Sequence, residues 1–138
     1  MPADLLTAVV TIVAILLYFY MGVRVGQMRV KHSIKAPATT GHPEFDRAFR
    51  VQMNTLEAMP VFLPLLWLAT YYFAPAFNAL EWLPALVGLA WIVGRILYMN
   101  AYMADPATRS VGFGISAISQ LALLILALAG IVRVWMAV

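Results

Sequence analysis

The chain has 138 residues, enough for one domain, and 64% of them are hydrophobic against 11% charged, where soluble domains carry roughly 25% charged residues. Water is therefore not the main solvent for this fold, and the absence of cysteine excludes disulfides, cysteine-bound metals and a protein-borne thiol nucleophile. The formal charge of +3 is small, and its concentration in one connecting segment suits anionic headgroups or small anionic ligands, not nucleic acid.

Residues 5–23 are apolar and uncharged, longer than a signal-peptide core of roughly 7 to 15 residues and close to the ~20 that span a bilayer. A retained helix is expected over residues 5–25. Residues 24–50 then hold six of the nine basic side chains: Arg24, Arg29, Lys31, Lys35, Arg47 and Arg50. After the breakers Pro37 and Gly41-His42-Pro43, a second helix is expected over 45–74. It exceeds what a bilayer requires, so its first turns project into the interface with Arg47 and Arg50, and Pro60 and Pro64 are expected to bend it. The turn at 75–82 has no basic residue, only Glu81. A third helix is expected over 80–103. Asp105-Pro106 suits an N-cap and first position, opening a fourth helix over 107–136 with Arg109 in its first turn.

These elements define an all-α membrane protein, a bundle of four transmembrane helices. By the positive-inside rule the first and third connections face the cytoplasm. A bacterial inner membrane and the endoplasmic reticulum both satisfy that rule. The Gly22 to Gly26 spacing is a weak small-residue packing signal and carries no function.

Two polar stripes interrupt the apolar pattern. On the second helix Arg50, Asn54 and Glu57 recur at i, i+4 and i+7 and so share one face, with Arg47 on its flank. On the third, Arg95, Tyr98 and Tyr102 recur at i, i+3 and i+7, and Arg109 follows on the same side. A charge at membrane depth costs roughly 2.5 to 3.5 kcal/mol, so such residues face a partner helix or a wet cavity. Two bland readings stand beside a ligand site: an internal pair of Arg50 with Glu57 that clips helices together, and tyrosines that merely belong to an aromatic belt. As a ligand site the inventory favours an amphoteric peptide, because guanidinium groups grip carboxylates, Glu57 accepts an ammonium, and Asn54 both donates and accepts. Were the ligand a thiol, an arginine near sulfur would favour thiolate, and a helix N-terminus would add positive potential. Elsewhere, His32 and His42 lack metal-ligand spacing and are expected to be solvated loop residues. Ser110, Ser116 and Ser119 have no histidine base nearby. Gln120, midway along the fourth helix, is expected to make an interhelical hydrogen bond.

The stretch 39–69, TTGHPEFDRAFRVQMNTLEAMPVFLPLLWLA, and the block 95–110, RILYMNAYMADPATRS, resemble the membrane-associated proteins in eicosanoid and glutathione metabolism, the MAPEG family. The first and last helices match only in apolar character and position. The resemblance implies a homotrimer of four-helix subunits, with bent glutathione held as cosubstrate between neighbouring subunits near the cytoplasm, and no metal. Carried over by motif position, Arg50, Gln52, Asn54 and Glu57 would hold glutathione from the second helix, Arg29 from the first connection, and Tyr98 and Tyr102 from the third helix. Arg109 matches the arginine that stabilises the glutathione thiolate, and Arg95, like Arg47, has a supporting role. The chain departs from the members it most resembles at Ala58, where they carry a tyrosine, and at Val30, where they carry an arginine.

The function so implied is a membrane-bound glutathione transferase or peroxidase acting on a lipophilic electrophile or lipid hydroperoxide. Two other classes remain open from the residues: a non-catalytic lipid-binding scaffold, and a small four-helix exporter with Glu57 as its proton site.

Overall fold

Four long helices make up the computed structural model, which describes residues 2–137. They are α1 (Ala3–Lys31), α2 (Pro43–Ala76), α3 (Leu83–Ala104) and α4 (Ser110–Trp135), with short 3₁₀ turns at Asn78–Leu80 and Pro106–Thr108. Each helix is long and apolar enough to cross a membrane. The chain is an integral multi-pass membrane protein of the all-α class.

No proline interrupts the polar end of α1, which continues past residue 25 to Lys31. The stop is a Schellman arrangement: Ser33 takes a left-handed φ of 53°, its N–H donates to the Val30 carbonyl at 3.3 Å, and the Ile34 N–H donates to the Arg29 carbonyl at 3.0 Å, satisfying carbonyls the helix end would leave orphaned. Arg29 therefore stands on α1 itself, not in the connection. His42 caps α2 by accepting the Glu44 N–H on Nδ1 at 3.3 Å, and Pro43 follows at a position where its missing N–H costs nothing. With 34 residues, α2 is about 51 Å long at ~1.5 Å per residue, against a hydrocarbon core of ~30 Å. Its opening turns lie beyond that core. At the other connection, the Asp105 carboxylate accepts the Ala107 N–H at 2.9 Å. Asp105-Pro106 thus opens the 3₁₀ turn instead of α4, and Arg109 becomes the residue preceding the first turn of α4.

α2 packs against the other three helices. Its buried Phe62 stacks on Trp91 of α3, with ring centroids 3.9 Å apart and planes 4° from parallel, in a core that includes Val10, Ala14, Leu66, Ala69, Leu123 and Ala127. The Thr7 and Thr70 hydroxyls share a buried hydrogen bond of 2.6 Å between α1 and α2. α3 and α4 approach closely at Gly112, where the backbone of Tyr98 occupies the space a Cβ would need. Leu5, Val9, Ile12 and Leu16 on α1, with Ile118, Leu121, Ile125 and Leu128 on α4, are exposed. In a bilayer such faces meet lipid tails or other helices.

Candidate active site

α2, α3 and α4 surround a cavity of about 630 Å³, within the size range of small-molecule sites. Its walls are Arg50, Asn54, Glu57 and Ala58 from α2, and Arg95, Tyr98 and Tyr102 from α3. The connection and α4 supply Arg109, Phe113, Ser116, Ala117 and Gln120. The two stripes read from the sequence thus face the same space. Helical periodicity explains why: each stripe keeps one face, and close α3–α4 packing at Gly112 holds the walls together.

The rim is polar and largely unpaired. Asn54 Nδ2 donates to the Tyr98 hydroxyl at 2.5 Å, joining α2 to α3. The Arg109 guanidinium lies 5.6 Å from the Tyr102 ring centroid and donates from Nη1 to the Pro106 carbonyl at 3.1 Å. Among the described residues the only ion pairs join Glu44 to Lys31 and His32. Arg50, Arg109 and Glu57 therefore face the cavity without a charged partner, and the helix clip of Arg50 with Glu57 is not formed. Arg95 differs in being 3% exposed. Its Nε and Nη2 donate to the Thr55 hydroxyl at 3.2 and 2.7 Å, and its Cζ lies 4.4 Å from the Tyr98 ring centroid.

Three other residues of interest lie outside this cavity. Arg47 donates from Nη1 to the carbonyls of Met103 and Ala104, both at 3.1 Å, satisfying the C-terminal end of α3. Arg29 packs with Cζ 4.7 Å from the Phe45 ring centroid. Gln52 lies beside α1, where a Cβ added to Gly22 would come within 3.0 Å of its Nε2.

The sequence reading missed the α4 wall. Arg109, Phe113, Ser116 and Gln120 recur at i, i+4, i+7 and i+11, the same one-face signal as the other stripes, but muted because Ser116 and Gln120 are neutral and Phe113 is apolar. Gln120 does make the expected interhelical bond, Nε2 donating to the Ala58 carbonyl at 3.0 Å. His32 and His42 are not independent solvated residues. Their rings stack at 3.5 Å, His32 bonds the Glu44 carboxylate at 2.9 Å, and ligating atoms of all three lie within 4.8 Å of one another. In the turns beyond the bilayer core, the Lys31 ammonium, 2.6 Å from Glu44, and then the His32 ring lower the Glu44 carboxyl from 4.5 to about 2.

The profile of the MAPEG family matches residues 7–129, a span that contains every residue lining the cavity. The chain belongs to the MAPEG family. It is 40% identical to an uncharacterised protein of Synechocystis sp., covering 90% of this chain and 86% of that one. It is 37% identical to microsomal glutathione S-transferase 2 of Homo sapiens, over 82% of this chain and 73% of the relative. Leukotriene C4 synthase of Cavia porcellus is 36% identical, over 91% and 80%. Within this MAPEG frame the conspicuous feature is the charge inventory of the cavity: three guanidinium groups, Arg50, Arg95 and Arg109, against the single carboxylate of Glu57.

Proposed function

We propose that this protein is a glutathione transferase, with peroxidase capability, that binds glutathione in the cavity between α2, α3 and α4 and uses it as thiolate. The observation that carries the reading is complementarity of charge. Glutathione in its thiolate form has two carboxylates, one thiolate and one ammonium, and the cavity offers three guanidinium groups and one carboxylate. Two of its relatives are named for glutathione transfer and leukotriene C4 synthesis, which supports the same chemistry here.

In this mechanism Glu57 accepts the ligand ammonium and Arg50 grips a carboxylate bidentately. Asn54 and Tyr98, already joined by a hydrogen bond, fix the peptide between helices. Arg109, immediately before the first turn of α4, adds its charge to the positive end of the helix dipole and favours the thiolate. Each unit by which the thiol pKa falls corresponds to about 1.36 kcal/mol. The thiolate sulfur then bonds to an electrophilic carbon as a halide leaves or an epoxide oxygen departs and takes a proton. With a hydroperoxide, sulfur takes the terminal oxygen, an alcohol leaves, and a second glutathione yields the disulfide and water. Positioning and electrostatics supply the acceleration.

Arg29 and Gln52 are not among the residues lining the cavity, so a single copy cannot bring all seven expected glutathione contacts and the thiolate arginine to one ligand. A homotrimer in which a neighbouring copy presents its α1–α2 face to the cavity reconciles the two sets. The basic connection between α1 and α2 orients the cavity toward the cytoplasm.

The test is turnover of glutathione with aryl halides, epoxides and lipid hydroperoxides by detergent-purified protein. Arg109→Ala is expected to lower kcat at least tenfold while glutathione still binds. Undiminished turnover in that variant overturns the catalytic assignment, and wild-type protein that binds no glutathione returns the chain to the scaffold class.

A further inference from the structure

Arg50, Arg109 and Glu57 at the rim meet one carboxylate, the thiolate and the ammonium, which leaves one carboxylate of the peptide and the polar groups of the floor without assigned partners. Arg95 is 3% exposed and bonds only a hydroxyl, that of Thr55, whose own hydrogen goes to the Val51 carbonyl at 2.9 Å. No carboxylate pairs with Arg95 among the described residues, although a buried cation ordinarily has a counter-ion. Its Nη1 makes no hydrogen bond among the described residues. Yet the buried side-chain atoms without a partner are Arg29 Nη1 and Trp91 Nε1, so Arg95 Nη1 keeps access to the cavity that Arg95 lines.

Around it, α4 supplies neutral polar groups. Ser116 lies against Gly94, where an added Cβ would stand 2.7 Å from its Oγ, and its hydrogen is spent on the Gly112 carbonyl at 3.0 Å. Gln120 follows one turn deeper and gives one N–H to the Ala58 carbonyl, leaving its second N–H and its Oε1 unpaired. Arg95 and Gln120 thus present two free donor groups, one of them charged, and Glu57, the one carboxylate lining the same cavity, pairs with neither among the described residues. At ~1.5 Å per residue the step along α4 from Arg109 to Gln120 is about 16 Å, so Gln120 stands well away from the thiolate arginine.

We infer that Arg95 and Gln120 form a carboxylate-binding subsite at the floor of the cavity, which makes Arg95 a ligand-binding residue and not only a support for α3. A carboxylate has two acceptor oxygens and one negative charge, matching a guanidinium N–H and an amide N–H that line one cavity. It has two possible sources: glutathione itself, which deepens the reading above, or a lipophilic second substrate that carries an acid group.

Calorimetric titration of the full-length protein distinguishes them. One arm compares glutathione with its glycine ethyl ester and with the analogue lacking the γ-glutamyl α-carboxylate. The other compares 4-phenylbutyrate with its methyl ester. In the wild type, one acid is expected to bind about tenfold or more tightly than its blocked form, the range of a hydrogen bond to a charged group. That preference is expected to shrink to about threefold or less in Gln120→Leu and in Arg95→Gln. If Arg95→Gln does not fold, the wild-type comparison and Gln120→Leu decide. Equal binding of every acid and its blocked form overturns the subsite, as does the survival of every preference in both variants; the preference for the carboxylate that Arg50 holds is expected to persist. If glutathione gives no heat, the glutathione reading falls, while the 4-phenylbutyrate arm still tests the floor.

Discussion

Gly112 tests whether the α3–α4 contact sets the geometry of the site. A Cβ placed there would stand 2.6 Å from Tyr98 Cα and 2.7 Å from the Gly94 carbonyl oxygen, and these obstacles are backbone, which cannot rotate away. Gly112→Ala therefore has to separate the helices. Overpacking of this kind costs about 1–3 kcal/mol, and the upper half of that range applies where no side chain can yield. The separation falls between Tyr98 and Arg109, on the two helices that bring them to the cavity, and a misplacement of ~1 Å in a reacting constellation can cost about 100-fold. Gly114, two residues along the same helix, has nothing within 4 Å of an added Cβ, so Gly114→Ala is the control, expected within about 0.5 kcal/mol of wild type. The assay is thermal unfolding in detergent together with kcat/KM for glutathione. Gly112→Ala should be the less stable and at least tenfold slower. If the two variants behave alike, the close approach of α3 and α4 does not position the site.

The Asn54–Tyr98 hydrogen bond predicts coupling: in a double-mutant cycle of Asn54→Ala and Tyr98→Phe, glutathione affinity should show about 0.5–1.5 kcal/mol of interaction, and additive losses would mean that the two groups act separately. Arg47→Ala removes two bonds to the last carbonyls of α3. It should lower thermal stability by about 1.5–3 kcal/mol per lost charged bond at most, while glutathione affinity changes no more than about threefold. Glu44, its carboxyl lowered to about 2 by Lys31 and His32, contributes stability that is present above its usual value of 4.5 and lost as pH falls through about 2. Glu44→Gln should therefore open the 32–42 connection to protease at pH 7 and differ progressively less from wild type below pH 4.5; an equal difference across that window would refute the ion pair.

The four helices and two walls of the cavity could be read from the chain because polar residues at helical spacing stand out in apolar surroundings. Arg50, Asn54 and Glu57 are conspicuous for that reason, as are Arg95, Tyr98 and Tyr102. The third wall could not be read as easily, since Phe113, Ser116 and Ala117 differ little from ordinary membrane-helix residues, and only their register with Arg109 reveals the face. The pairing of His32 with His42 is made by the path of the connection between α1 and α2, which no local periodicity encodes. Arg29 and Arg47 carry the same charge as Arg50 but serve different surroundings: one packs on Phe45, the other holds carbonyls of α3. Their side chains reach far enough that the neighbour they find depends on tertiary packing, not on spacing.

The central claim is that the cavity takes glutathione as thiolate beside Arg109. Calorimetry of glutathione binding near pH 7 in two buffers of different ionisation enthalpy counts the protons released. The account predicts release of about one proton per glutathione bound by wild type, and binding with little release by Arg109→Ala. Binding without proton release in the wild type, or release unchanged in the variant, would contradict it.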